Sequence, residues 1–151
     1  MHRVAISSTG LFTPPEIITN AELVEAYNHF AALENAKHAT EIAAGTREAL
    51  TDSNVEFIEK ASGIQRRYVM DKAGVLDPER MRPRFIPRPD NESSMMAEIG
   101  VAAAQAALDA AGKTAADVDG LICAAANMQR PYPAMGVEIQ TALGINGYRL
   151  T

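Results

Sequence analysis

Residues 92–126 read "ESSMMAEIGVAAAQAALDAAGKTAADVDGLICAAA", and this stretch decides the fold class. Ser93 and Ser94 each carry a hydroxyl that can accept from the free amides of a first helical turn. The residues that follow are rich in alanine, the best helix former, and contain no proline. Gly112 suits the left-handed position at which helices end. The pattern predicts a helix from Ser93 or Ser94 to Ala111, with a surface small enough for another backbone to approach closely. The next segment, "VDGLICAAA" at 118–126, is almost wholly apolar, as in a strand buried on both faces. It holds the single cysteine, Cys123.

Working outward, "RVAISSTGLF" at 3–12 has the β-branched and small apolar residues of a buried first strand, closed by Gly10 and Pro14-Pro15. Asn20 can cap a helix carrying Leu23, Tyr27, Phe30 and Ala31 at helical spacing. "AKHATEIAAGTREAL" at 36–50 suggests a second helix weakened by Gly45. A short helix capped near Ser53 or Asn54 ends at Gly63, and a strand begins at Ile64. From Met70 to Asn91 the chain carries Pro78, Pro83, Pro87 and Pro89, which predicts a long irregular excursion. Pro133 fits the first turn of a helix over "AMGVEIQTAL" stopped by Gly144, and "GYRLT" at 147–151 starts another strand. Strands alternating with helices in this way predict an α/β layered fold.

The totals exclude several classes of function. The 151 residues are 47% hydrophobic and 22% charged, an ordinary globular composition, and long enough for one domain or for half of a larger one. A net charge of −5 argues against general nucleic-acid binding, which needs a concentrated positive surface. No apolar run is long enough to span a bilayer, and the first ten residues lack the apolar core of a secretory signal. One cysteine excludes an internal disulfide, and His2, His29 and His38 have no metal-ligand spacing, so no metal and no resident cofactor is expected. A reducing, cytoplasmic setting fits best. Against the acidic background, Arg80, Arg82, Arg84 and Arg88 fall within nine positions.

Four blocks in this order carry a resemblance. They are "TGLFTPPEIITNAEL", "EFIEKASGIQRRYV", "ESSMMAEIGVAAAQAALDAAGKTAADVDGLICAAA" and "YPAMGVEIQTALGINGY". Together they cover most of the chain and resemble the N-terminal half of β-ketoacyl-ACP synthase III, a condensing enzyme of the thiolase fold. The resemblance implies a thiolase-like α/β architecture of layered sheet and helices. Residues 1–151 would form the N-terminal half of that two-fold repeated fold, with cap-like insertions near 26–53 and 70–91. It also implies fatty-acid biosynthesis by condensation of an acyl thioester with malonyl-ACP. A cysteine thiolate takes the acyl group, decarboxylation supplies a carbanion, and His and Asn stabilise the oxyanion. In the family those three residues lie beyond the point where this sequence stops, so this chain by itself is expected to be inactive. The implied partners are acyl carrier protein, acyl-CoA and a second copy in a homodimer. A second class of function stays open: a non-catalytic thiolase-like half that pairs with another chain, or an inactive truncation.

The resemblance also assigns candidate residues. Cys123 lies ahead of the family's nucleophile with no histidine near it, and reads as a small apolar filler of a buried strand. Tyr132 matches the aromatic residue that, in the family, closes the partner protomer's acyl pocket; it reads equally as a tyrosine packed under its own domain. Phe57 falls where many members have a tryptophan stacking on the donor's adenine, and Ala61 where they have an arginine beside that ring. Phe57 could instead lie on the core face of its helix. The insertions are expected to cap a tunnel for a longer acyl primer. Arg80, Arg82, Arg84 and Arg88 would then meet phosphopantetheine or the acidic face of the carrier, or else form a solvated loop. Arg66 and Arg67 receive no role.

Overall fold

The computed structural model describes residues 4–146, and its chain divides into two compact units. One unit is Thr13–Ile86; the other joins the stretch up to Phe12 to the chain from Pro87 onward.

In the first unit, β1 (Glu16–Thr19) runs straight into α1 (Asn20–Lys37). Thr19 is the cap. Its hydroxyl oxygen accepts from the Glu22 amide at 3.3 Å, and the Glu22 carboxylate accepts from the Thr19 amide at 2.9 Å, a reciprocal capping box. The cap therefore falls one residue before Asn20, which is released for another task. Asn20 is buried, donates from Nδ2 to the Ile64 carbonyl at 2.7 Å, and accepts from Arg67 Nη1 at 2.8 Å. That side chain ties the start of α1 to the turn leading into β2 (Arg66–Val69), which pairs antiparallel with β1, Glu16 opposite Val69 and Thr19 opposite Arg66. Ile18, Ala26 and Ala31 are the buried apolar residues of this unit.

The helix expected over 36–50 is much shorter. α2 (Ala39–Ala43) stops before Gly45, whose φ of +70° lies in the left-handed region, and regular structure does not resume until Val55. The returning chain is held by two asparagines spaced about two turns apart on α1. Asn35 accepts from the Leu50 amide and donates to its carbonyl, both at 2.8 Å; Asn28 does the same to Ser53 at 2.8 and 3.1 Å. Each primary amide thus pairs with a backbone residue as a strand neighbour would. α3 (Val55–Ser62) has the expected ends, Asn54 accepting from the Phe57 amide at 2.7 Å and Gly63 at φ +69°. The stretch from Met70 to Asn91, expected to be irregular, contains one short helix, α4 (Lys72–Leu76), nucleated by Asp71 accepting from the Gly74 amide at 3.0 Å.

In the second unit, α5 (Met95–Ala111) has Ser94 as cap and Gly112 as left-handed stop, as its sequence predicts. α6 (Met135–Leu143) packs on it through Ala97, Met135 and Ile139, with Met96, Val101, Leu121 and Leu143 around them. Gly100 lets Ile139 lie against α5: a Cβ there would sit 2.6 Å from the Ile139 Cδ1. The small side chains of α5 also admit residues 8–10. Ser8 Oγ donates to the Ala107 carbonyl at 2.6 Å, and a Cβ on Gly10 would run into the Ala103 carbonyl oxygen. The expected backbone approach to α5 is therefore present. Gly144 ends α6 with φ +72°, but α6 begins at Met135, so the cis-bonded Pro133 precedes the helix rather than opening it.

Two of the expected strands are absent among the described residues. The described part of the first strand, 4–12, carries no ladder, and Val4, Ile6 and Leu11 are more than four-fifths exposed. The segment 118–126 is likewise not a strand; Ile122 is 99% exposed and Cys123 is exposed, not a buried filler. Apolar composition shows a need for burial but supplies no hydrogen-bonding neighbour, and neither segment finds one among the described residues. The described elements are mixed helix and a two-stranded antiparallel sheet, compatible with an α/β class. "GYRLT" lies outside the described residues.

Replacing Asn20 by alanine should destabilise the chain by about 2 kcal/mol, because the Ile64 carbonyl and the Arg67 guanidinium lose a buried partner together. The midpoint of a denaturant titration measures this; a change below about 0.5 kcal/mol would show that Asn20 is not the tie.

Candidate functional site

The first unit contains a cleft of about 570 Å³ between α1 and α3. Leu23, Val24 and Tyr27 form one wall, Phe57 and Ile58 the other, and Thr51–Asn54, Arg67 and Met81 complete it. The asparagine clasps explain why the wall from 51 to 54 is ordered without being helix or strand. Phe57 is 65% exposed and α3 buries none of its residues, so the core-face reading of Phe57 is overturned. Its ring is presented to the cleft. Ala61, also on α3, is exposed and contributes no charge. The cation at this cleft is Arg67, aimed by Asn20, which sequence spacing could not show because the two residues are 47 apart. Asp52 supplies a carboxylate on the same lining.

The four arginines divide between the two units. Arg80, Arg82 and Arg84 belong to the first unit and Arg88 to the second. Arg84 is committed to Asp71: its amide donates to Oδ2 at 2.6 Å, and Nη2 lies 3.0 Å from Oδ1. Hydrogen bonds from the Arg84 side chain, then from its backbone, hold the Asp71 carboxyl well below the usual carboxylate range. Arg88 donates to Glu98 at 2.6 Å and to the Ser93 carbonyl at 2.9 Å, and that bond lowers the Glu98 pKa. Arg80 and Arg82 are exposed and have no carboxylate partner among the described residues. Nearby, the bond from Lys72 at 2.5 Å, reinforced by Thr19, lowers Glu22 to about 2.

In the second unit Tyr132 is 86% exposed, so it is not packed under its own domain. The two residues ahead of Pro131 are anchored. Gln129 accepts from the Met96 amide at 3.1 Å, while Arg130 Nη1 donates to the Glu92 carbonyl at 3.0 Å and lies 3.8 Å from Glu138 Oε1. Glu138, buried, accepts from both the amide and the hydroxyl of Ser94 at 2.8 Å. Cys123 lies in a separate hollow with Leu121, Met128, Gly136, Val137 and Gln140, whose lining includes no histidine, lysine or arginine to activate a thiol.

No protein-family model matches the chain. It is 53% identical over 125 residues to the beta-ketodecanoyl-[acyl-carrier-protein] synthase of Pseudomonas aeruginosa, a match covering 83% of this chain and 36% of that protein. The beta-ketoacyl-[acyl-carrier-protein] synthase III of Agrobacterium fabrum is 34% identical over 145 residues, 96% of this chain and 31% of the relative. That of Rhizobium johnstonii is 37% identical over 99 residues, 66% and 24% respectively. The chain belongs to the β-ketoacyl-ACP synthase III family. It spans about a third or less of the length of these synthases. Among the described residues, no helix is long and apolar enough to cross a membrane.

The lowered carboxyls give the first unit a pH dependence of known sign. Unfolded, Glu22 and Asp71 bind protons near pH 4; folded, both stay ionised to lower pH. Their contribution is therefore complete above about pH 5 and is lost as pH falls toward 2. Lys72→Met should flatten the acid limb of melting temperature against pH. An unchanged slope between pH 5 and 3 would contradict the pairing.

Proposed function

We propose that this chain forms part of a 3-oxoacyl-ACP synthase III-like acyltransferase of fatty-acid biosynthesis that condenses an acyl thioester with malonyl-ACP, and that its primer is of medium length. The observation that carries this reading is the 53% identity to a synthase named for a ten-carbon 3-oxoacyl product. Condensation with a malonyl group adds two carbons, so the matching primer has eight. In this reading the complete enzyme is a cytoplasmic, thiolase-like homodimer. A cysteine outside these residues attacks the thioester and releases the carrier thiol. Loss of carbon dioxide from malonyl-ACP gives the carbanion that forms the new carbon–carbon bond, and the cysteine thiolate departs.

The residues of this chain bind and measure. The exposed Phe57 ring and the Arg67 guanidinium on one cleft suit the flat, anionic handle of a CoA donor, with Arg67 supplying a charge that Ala61 lacks. Arg80 and Arg82 are the two of the four candidate arginines left to meet the phosphopantetheine or acidic face of a carrier, since Arg84 and Arg88 are already paired. Residues 26–53 and 70–91 act as a cap for the longer primer. The compactness of Thr13–Ile86, which holds the first insertion and most of the second, supports this. Tyr132, exposed and unpacked, closes the acyl pocket of the partner protomer. A second reading, a non-catalytic half that pairs with another chain, draws on the exposed apolar residues Val4, Ile6 and Ile122.

Two measurements on the complete protein test these readings. Incubation with octanoyl thioester should add one octanoyl group by intact mass, and malonyl-ACP should then discharge it; no adduct would favour the pairing reading. Tyr132→Gly should raise kcat/KM for primers two carbons longer by about tenfold, since one or two methylenes in an apolar pocket are worth this much. An unchanged chain-length profile would remove Tyr132 from the pocket.

A further inference from the structure

The loop that carries Tyr132 is anchored with unusual thoroughness for a segment without regular structure. Tyr132 itself is 86% exposed, yet the two residues before Pro131 spend their side chains on fixed backbone. Gln129 closes a free amide of the first turn of α5, at Met96. Arg130 is largely buried, its side chain 12% exposed, although it bridges a loop to two backbone carbonyls, those of Asp90 at 3.4 Å and Glu92 at 3.0 Å. Behind Arg130 stands Glu138, with a side chain 5% exposed and its two oxygens held by Ser94. Burying an arginine and a glutamate together costs desolvation that a solvent-facing loop does not need. Such a network fixes where a rigid aromatic ring points.

We propose that Arg130, backed by Glu138, is a positioning residue that sets primer length by fixing the backbone from which Tyr132 projects. This inference rests on the reading of Tyr132 as a wall of the acyl pocket. Arg130 touches no substrate. Its Nη1 meets both carbonyls and faces the carboxylate, so one cationic nitrogen at the end of a long side chain holds the loop to residues 90–92. A shift of the loop by about 1 Å is enough to change how well a primer terminus fits.

The test uses the complete synthase and acyl-CoA primers of four to twelve carbons. Arg130→Ala should lower the ratio of kcat/KM for the preferred primer over one two carbons longer by about fivefold to tenfold. Acylation of the nucleophile by the longer primer should be retained. In a Tyr132→Gly background the same substitution should cause no further change in the ratio, a result that a general loss of stability would not give. If Arg130→Ala does not fold, Arg130→Met, which keeps the apolar stem and loses the donating nitrogen, carries the same comparison. A profile that shifts in Tyr132→Gly but not in the Arg130 variant overturns this inference alone. A profile unmoved by Tyr132→Gly overturns the pocket reading and this inference with it.

Discussion

The second unit is arranged around a buried carboxylate with a largely buried guanidinium beyond it. Glu138 sits on the inner face of α6, where an isolated carboxylate would cost several kcal/mol in lost hydration. It is tolerated because Ser94 offers both its amide and its hydroxyl, and the Arg130 guanidinium lies beyond. Ser94 in turn accepts from the Ala97 amide, so the group that solvates Glu138 also starts α5. Helix start, helix packing and loop position are therefore consequences of a single electrostatic demand. Ala97 and Gly100 on α5 are small enough for α6 to approach and deliver the carboxylate.

The first unit solves a similar problem without buried charge. Asn20, Asn28 and Asn35 lie along α1, and each of the three amides hydrogen-bonds a carbonyl of the chain returning past the helix. A primary amide has both donor and acceptor, so it can stand in for a strand neighbour at a place where no strand is available. This explains how a segment with little buried apolar surface holds a defined cleft wall. The cleft then presents an aromatic side chain and one oriented cation.

What the sequence made legible is what local chemistry controls. Ser94, Asn54, Gly63, Gly112 and Gly144 mark helix ends, because a cap or a left-handed residue acts within one turn. The resemblance singled out Phe57 and Tyr132 as candidates, and both side chains are exposed. Illegible were the features that need a distant partner. Nothing near Asn20 reveals that it serves Ile64 and Arg67, and nothing near Arg84 reveals Asp71, which leaves Arg80 and Arg82 as the unpaired arginines of the four. Nothing near Glu138 reveals that it serves Ser94, 44 residues away. The apolar segments 4–12 and 118–126 read as strands because composition reports the need for burial, whereas a ladder depends on a neighbour that composition does not specify.

Glu138 and Ser94 act as one unit. A double-mutant cycle with Ser94→Ala and Glu138→Gln, read by denaturant titration, addresses it directly. The account predicts a coupling of at least about 1.5 kcal/mol between the two substitutions, as for residues sharing one buried network. Additivity within about 0.3 kcal/mol would contradict it.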